Sequence, residues 1–221
     1  MVLATALLPF EPIRTCRDNI GSGLVPLAGI LLIETERLIL RPFAPGDAED
    51  VYECLGEPLV NCFADMRLNS PEAARALIEE RSRDQEYCLA IVLKDAARSS
   101  ARSRLVRSPM PSRQMRGPDT FSPCWMLNKR YHDKGYAHEA AHAFFDYLFL
   151  QKGARRVYAY TEVGNLSSQR LCRRLGMRQE GLFREFISFV NDEDSEPVYE
   201  DTMEWAVLRK EWPAAGRRDG H

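Results

Sequence analysis

The sequence lacks the features that would commit it to a membrane, a metal scaffold or a nucleic acid. No apolar run reaches the ~18 residues that a membrane-spanning helix requires, so none is expected. The six cysteines, Cys16, Cys54, Cys62, Cys88, Cys124 and Cys172, include no C-x-x-C pair. That argues against a zinc ribbon or a disulfide framework and for a reducing, cytoplasmic setting. Neither charge dominates: 30 Lys+Arg oppose 32 Asp+Glu for a net charge of −2, and no nucleic-acid partner is expected. The apolar stretch from Met1 to Phe10 has no basic leader and no small-residue cleavage site, so it reads as neither signal peptide nor anchor. No internal repeat is visible.

What is present suits one packed domain: 221 residues, 45% of them hydrophobic and 10% aromatic, are ample for a core. Residues 1–30 keep no steady period, contain the loose Gly21-Ser22-Gly23, and read as an N-terminal extension of doubtful order. The domain is expected over 31–212, followed by a tail at 213–221. Leu38, Leu40 and Pro42 alternate with Arg37, Ile39 and Arg41 as in a strand. From Pro45 to Leu55, Ala48, Val51, Tyr52 and Leu55 share a helical face. Ser70-Pro71-Glu72 is a helix start (cap hydroxyl, proline at the first position, acid at the positive end), and that helix should reach about Arg83. Tyr87 to Leu93 is an apolar strand. Pattern resumes from Asp119 to Leu127. A helix over Tyr136 to Gln151 and a strand over Arg156 to Glu162 follow. Asn165 caps a short helix that stops at Gly176. Strands from Leu182 to Val190 and Val198 to Arg209 close the chain. Interleaved strands and helices give an α/β (α+β) domain.

The segment 96–118 breaks this order. It holds arginines at 98, 102, 104, 107, 113 and 116 and no acid, leaving the rest of the chain at −8. Leu105-Val106 is its only apolar pair, so a buried strand is not expected there. A solvated loop fits the composition better than a nucleic-acid patch. The abrupt change of composition at both ends resembles a local reading-frame slip more than an insertion.

Three constellations carry chemistry. His138-Glu139-Ala140-Ala141-His142 matches H-E-x-x-H, in which two histidines one turn apart bind zinc and the glutamate acts as base, with Glu162 downstream as a third ligand. Against it, Ala137, Ala141, Phe144 and Leu148 define the core face, and His138 and His142 lie on a flank about 80–120° away. The loop His132-Asp133-Lys134-Gly135-Tyr136-Ala137 joins a strand to that helix. Unpaired N–H groups at such a helix start form an anion site, although many ordinary turns look the same. In the helix after Asn165, Ser168 falls among Leu171, Cys172 and Leu175, so its hydroxyl points inward, either to a backbone carbonyl or to a cleft.

Taken together, these segments resemble the GNAT acetyltransferases, in the branch containing the ribosomal-protein alanine N-acetyltransferases. Thr35-Glu36-Arg37-Leu38-Ile39-Leu40-Arg41-Pro42-Phe43 with Asp47-Ala48-Glu49 is similar to their opening. Trp125-Met126-Leu127-Asn128, the 132–137 loop and Glu139-Ala140-Ala141 resemble their acyl-CoA segment. Asn165-Leu166-Ser167-Ser168 through Arg174-Leu175-Gly176-Met177 resembles their later helix, and Asp201-Thr202 with Ala206-Val207-Leu208 their closing strand. The likeness spans about 32–212 apart from 96–118.

The resemblance implies a mixed, mostly antiparallel central sheet with helices on both faces and a splayed strand pair holding acyl-CoA. It implies acetyl transfer from acetyl-CoA, as co-substrate, to a primary amine within a ternary complex. The acceptor would be a small-molecule amine or a protein N-terminus, and the enzyme a monomer or homodimer. The pyrophosphate loop of the family, [QR]-x-x-G-x-[GA], fits from Gly135 onward, with His132 in place of Gln or Arg. By this likeness His132, Asp133, Lys134, Gly135, Tyr136 and Ala137 hold the pyrophosphate. Met126, Leu127 and Asn165 are the other expected coenzyme contacts. Cys172 stands where many members carry a tyrosine acid, and Ser168 stands where this branch has a serine proposed for that role. Ser122 replaces a glutamate common in relatives, so the base is unassigned, with Glu162 or a water relay open. The alternatives are an acyl-CoA-binding chain impaired by the 96–118 segment and, as a second enzyme class, an H-E-x-x-H zinc hydrolase. Acceptor choice is expected from the loops 56–70 and 184–200. The acidic run Asp192-Glu193-Asp194 with Glu196 is either a lure for a cationic acceptor or a solvated turn.

Overall fold

A computed structural model describes residues 31–84, 86–94, 106–107 and 119–213, without the side chains of Phe63, Asp65, Val106 and Arg107. The extension 1–30, most of 96–118 and the tail beyond Pro213 lie outside the described residues. Strands β1 (Ile33–Glu34), β2 (Leu38–Pro42) and β3 (Cys88–Leu93) form consecutive antiparallel pairs. Helices α1 (Ala48–Gly56) and α2 (Pro71–Arg81) lie between β2 and β3 and flank the 3-10 turn Asn61–Met66. The predicted start of α2 is present: Ser70 Oγ accepts the Ala73 N–H at 3.2 Å. The later half comprises β5 (Thr120–Phe121), β6 (Cys124–Trp125), α3 (Tyr136–Asp146, continued as π turns Tyr147–Gln151) and β7 (Arg156–Glu162). It ends with α4 (Leu166–Arg174), β8 (Arg178–Asn191) and β9 (Pro197–Leu208).

Contrary to the expectation from composition, the arginine-rich segment contributes a strand. Val106–Arg107 (β4) pairs with Cys88–Leu89 on one side and Cys124–Trp125 on the other. The sheet order is β1-β2-β3-β4-β6 in one sheet and β5-β7-β9-β8 in the other. All pairs are antiparallel except β5 with β7. This is the mixed, mostly antiparallel arrangement expected.

Strand alternation divides the core in two. Leu89 and Ile91 of β3 pack with Leu38, Leu40 and the α3 residues Phe144, Phe145 and Leu148. Cys88, Ala90 and Val92 turn to the other face, against Val51, Leu55, Ala74 and Ile78 of α1 and α2. Helices therefore cover both faces, as a period-2 strand buried on both sides demands. At the chain end Trp212 donates to Asp146 Oδ1 at 2.7 Å and stacks on Phe145 and Phe149. Asp47, almost wholly buried, takes both Arg41 Nη atoms at 2.8 and 2.9 Å and the Ala44 N–H at 2.8 Å, fixing the turn into α1. Among the described residues no helix is long and apolar enough to cross a membrane.

Phe144 is fully buried between α3 and the sheet, so Phe144→Ala should cost about 3–5 kcal/mol in urea unfolding. Leu150, half exposed one turn beyond, should tolerate Ala at a cost within about 0.5 kcal/mol.

Candidate functional site

The site begins where a strand changes partners. Thr120 and Phe121 pair in parallel with Arg156 and Val157, and then Ser122-Pro123 interrupts the ladder. Proline has no N–H to donate, so pairing to β7 cannot continue through it. Cys124 and Trp125 instead join β4. Beyond this point β6 and β7 belong to different sheets, and a cleft of about 610 Å³ lies alongside the divergence.

The loop expected to hold an anion borders that cleft. Gly135 sits at the N-cap of α3 with φ +80°, a left-handed conformation that glycine adopts without strain. The Glu139 N–H bonds to the Gly135 carbonyl at 3.1 Å, so the N–H groups of Tyr136, Ala137 and His138 have no partner within the helix. His132, Asp133, Gly135, Tyr136 and Ala137 line the cleft, together with Met126 and Leu127 on the strand side and Asn165 and Ser168 on α4. Of the expected coenzyme contacts, Lys134 alone is not in this wall, and Glu162, the candidate base, lies outside it as well. The Lys134 carbonyl accepts from Arg37 Nη1 at 3.0 Å and its ammonium lies over the Tyr131 ring. His132, the unusual first residue of the loop, directs Nε2 to the Leu127 carbonyl at 3.0 Å, tying the loop to the splayed strand.

Sequence reasoning missed one feature of this wall. Asn128 is almost fully buried there; its Oδ1 caps the following turn by accepting the Arg130 N–H at 3.1 Å, while its Nδ2 has no partner among the described residues. An amide donor stranded at a cleft is a natural place for a ligand carbonyl. The stretch Glu57–Val60 also lines the cleft, within the 56–70 segment expected to select the acceptor. The 184–200 segment reaches the same region through Asn61 Nδ2, which donates to Glu200 Oε1 at 2.6 Å. The acidic run beyond it is exposed and closes its own turn, with Asp192 Oδ1 accepting the Asp194 and Glu196 N–H groups.

On α4, Asn165 Oδ1 accepts the Ser168 N–H at 3.1 Å, as predicted for a cap, and Gly176 ends the helix at φ +71°. Ser168 is half-buried and borders the cleft. Its neighbour Gln169 is the buried polar residue, satisfied by donating to the Val163 carbonyl at 2.8 Å. Burial pushes the Cys172 thiol up to about 12, which keeps it protonated and inert.

The H-E-x-x-H residues have other partners, although His138 also lines the cleft. Glu139 accepts from Thr35 Oγ1 at 2.5 Å, from the Arg37 N–H at 2.8 Å and from Arg37 Nε at 2.6 Å. The Arg37 guanidinium in turn covers the Tyr136 ring at 4.6 Å. His138 Nε2 donates to the Arg174 carbonyl at 3.2 Å, and burial lowers its proton affinity. His142 Nδ1 faces the Asp146 carboxylate at 3.3 Å, and its ring packs on Trp212. No group of three or more metal-ligating side chains occurs among the described residues. The motif locks α3 to the β1–β2 turn, so the glutamate is a structural clamp rather than a base.

Comparison with known proteins agrees with this geometry. Residues 37–178 match the family of acetyltransferase (GNAT) domains. The chain is 28% identical over 180 residues to the N-acetyltransferase YnaD of Bacillus subtilis (strain 168), covering 81% of this chain and 98% of that protein. A GNAT-family acetyltransferase of Bacillus anthracis superposes with a TM-score of 0.70 at 25% identity, over 82% of this chain and all of the other. The ribosomal L7/L12 alpha-N-protein acetyltransferase RimL, in complex with coenzyme A, shares the fold at a TM-score of 0.60 and 14% identity, over 80% and 97% of the two chains.

Burial raises the Glu139 carboxyl, but the Thr35 hydroxyl and the Arg37 N–H and guanidinium outweigh it and hold it below the ordinary glutamate range. The clamp therefore stabilises fully above that ordinary range and is lost as pH falls through the lowered value. Glu139→Gln should remove this part of the acid sensitivity seen in thermal melts from pH 7 to pH 3. At pH 7 it should cost about 1 kcal/mol, modest because Arg37 is half exposed.

Proposed function

Because this chain belongs to the GNAT acetyltransferase family, we propose that its cleft binds acetyl-CoA and passes the acetyl group directly to the nitrogen of a primary amine. One observation carries this assignment: the left-handed Gly135 loop and the splayed strand after Pro123 converge on a single cleft. The N–H groups at the start of α3 and the positive end of its dipole suit the pyrophosphate. The backbone of Met126 and Leu127 suits the pantetheine arm, which such a strand edge binds as it would a peptide. The buried Asn128 amide supplies a further donor. Asp133, Tyr136, Ala137 and His132 complete the coenzyme wall, with Lys134 acting through its backbone, and Asn165 orders the facing helix.

An N–H of the splayed strand near Leu127 meets the oxyanion that forms when the amine attacks the thioester carbonyl. Ser168 protonates the departing thiolate; Cys172 is fully buried and does not reach the cleft. No protein nucleophile is needed. The acceptor is a small-molecule amine or a protein N-terminus, chosen by the 57–60 wall and the adjoining Glu200 hairpin, and the enzyme acts as a monomer or homodimer. A zinc hydrolase has no support in this geometry, since Glu139 is committed to Thr35 and Arg37.

Isothermal titration should show one-to-one, micromolar binding of acetyl-CoA to the wild-type protein. Gly135→Val should abolish it, because a side chain at φ +80° is strained and its Cβ would meet Arg37 Nη2 at 3.4 Å. Ser168→Ala should leave that affinity unchanged and lower kcat by about 100-fold in acetylation assays. A normal kcat would remove the serine from the mechanism.

A further inference from the structure

We propose that Glu162 is the general base of acetyl transfer, accepting a proton from the ammonium group of the acceptor on the face of the sheet opposite the coenzyme; this rests on the acetyl-CoA assignment above. The argument starts from alternation along β7. Val157 and Ala159 point into the core shared with α3 and α4, so Tyr158, Tyr160 and Glu162 point to the other face. That face carries the Asn61–Met66 turn, whose Cys62 thiol is close enough to the Glu162 carboxylate for its charge to raise the thiol. Ser168 belongs to α4 on the coenzyme side. The two groups thus flank the end of β7 from opposite sides, as acid and base must when one serves the thiolate and the other the amine.

The surroundings of Glu162 are those of a held carboxylate. It is about nine-tenths buried, and Asn165 Nδ2 lies 3.4 Å from its Oε2. The same Asn165 caps α4 through the Ser168 N–H, so one side chain positions both ends of the reaction. Burial first, and then the Glu162 carboxylate and Cys124, push the Cys62 thiol up, so Cys62 is a neutral neighbour of Glu162 and not a competing anion. No arginine or lysine pairs with Glu162 among the described residues, which leaves its charge available to a cation. Directly across the ladder, Thr202 is its register partner, and side chains so paired share a face. Thr202 Oγ1 is fully buried with no hydrogen-bond partner among the described residues. A buried hydroxyl left unpaired beside a buried carboxylate marks a position that an incoming donor completes. Glu200, held by Asn61 two residues along β9, adds a second negative group at the approach.

The step balances as follows. The ammonium gives one proton to Glu162, and the neutral nitrogen attacks the thioester carbon. The new C–N bond forms and the C–S bond breaks. The thiolate takes the proton of Ser168, and the second proton lost by the nitrogen restores that hydroxyl through water. Glu162 releases its proton to solvent. The preferred acceptor is therefore an amine that is protonated at neutral pH.

The test compares wild type, Glu162→Gln and Glu162→Asp with three probes: a short peptide with a free N-terminal alanine, spermidine, and an arylamine that is already neutral at pH 7. Glu162→Gln should keep the acetyl-CoA affinity within twofold and lower kcat for the protonated amines by 100-fold or more. Its deficit on the arylamine should be at least tenfold smaller, and Glu162→Asp should restore part of the lost rate. Equal deficits on all amines, or a normal kcat, would overturn the proposal, because a structural role does not depend on amine basicity. Wild-type protein that binds acetyl-CoA but acetylates none of the probes would also overturn it while sparing the coenzyme site. Failure to bind acetyl-CoA would overturn the reading beneath it.

Discussion

The structure turns on the loss of one ladder at Ser122-Pro123. A strand that stayed paired with β7 along its whole length would make a continuous sheet with no room for a ligand between its neighbours. The proline removes a donor, the strand crosses to β4, and the two sheets part. Everything assigned to the site is arranged around that opening: the Gly135 loop at one end, Asn165 and Ser168 on the helix beyond, and Glu162 on the far face. The short β4 acquires its purpose here, since it is the partner that receives the departing strand.

Local signals were legible in the sequence because their physics is local. The Ser70 cap, the Asn165 cap, the Gly135 and Gly176 turns and the apolar strand β7 all follow from side chains acting within a few residues of themselves. The order of these elements, with the motif blocks they carry, was enough to give the fold and most of the residues that line the cleft. Three features were not legible, each for a different reason. Strand β4 sits in Arg/Ser/Pro composition whose pairing is decided by the strands on either side. Gln169 looks like a surface residue on a helical wheel, yet it is buried because a carbonyl of the preceding loop lies within reach of its amide. The Glu139 clamp joins residues more than a hundred positions apart, a distance over which no periodicity speaks.

The H-E-x-x-H sequence shows how a motif can be correct in spacing and empty of its usual chemistry. Two histidines at i and i+4 do share a helix flank, as the pattern requires. A zinc site also needs their nitrogens and the glutamate to face one open position. Here each group already has a partner: a helix-terminal carbonyl, a carboxylate and the Thr35–Arg37 turn. The same glutamate that would activate water in a zinc enzyme is stabilised as a carboxylate by an arginine and a hydroxyl, which makes it a poor proton acceptor near neutral pH.

That comparison also separates Glu139 from Glu162, two carboxylates set back from the cleft wall. Both are largely buried, but the environment of one neutralises its charge and that of the other does not. Glu139 is matched by a guanidinium and so contributes to holding the loop against the sheet. Glu162 is held by the Asn165 amide beside the neutral Cys62 thiol, groups that do not cancel a carboxylate's charge. A charge buried with only dipoles around it is costly unless a cation arrives. An acceptor ammonium is such a cation, and it carries the proton that must be removed before its nitrogen can attack. Binding the acceptor and activating it are then one electrostatic event, and Asn165, touching both Glu162 and the Ser168 N–H, ties its two ends together.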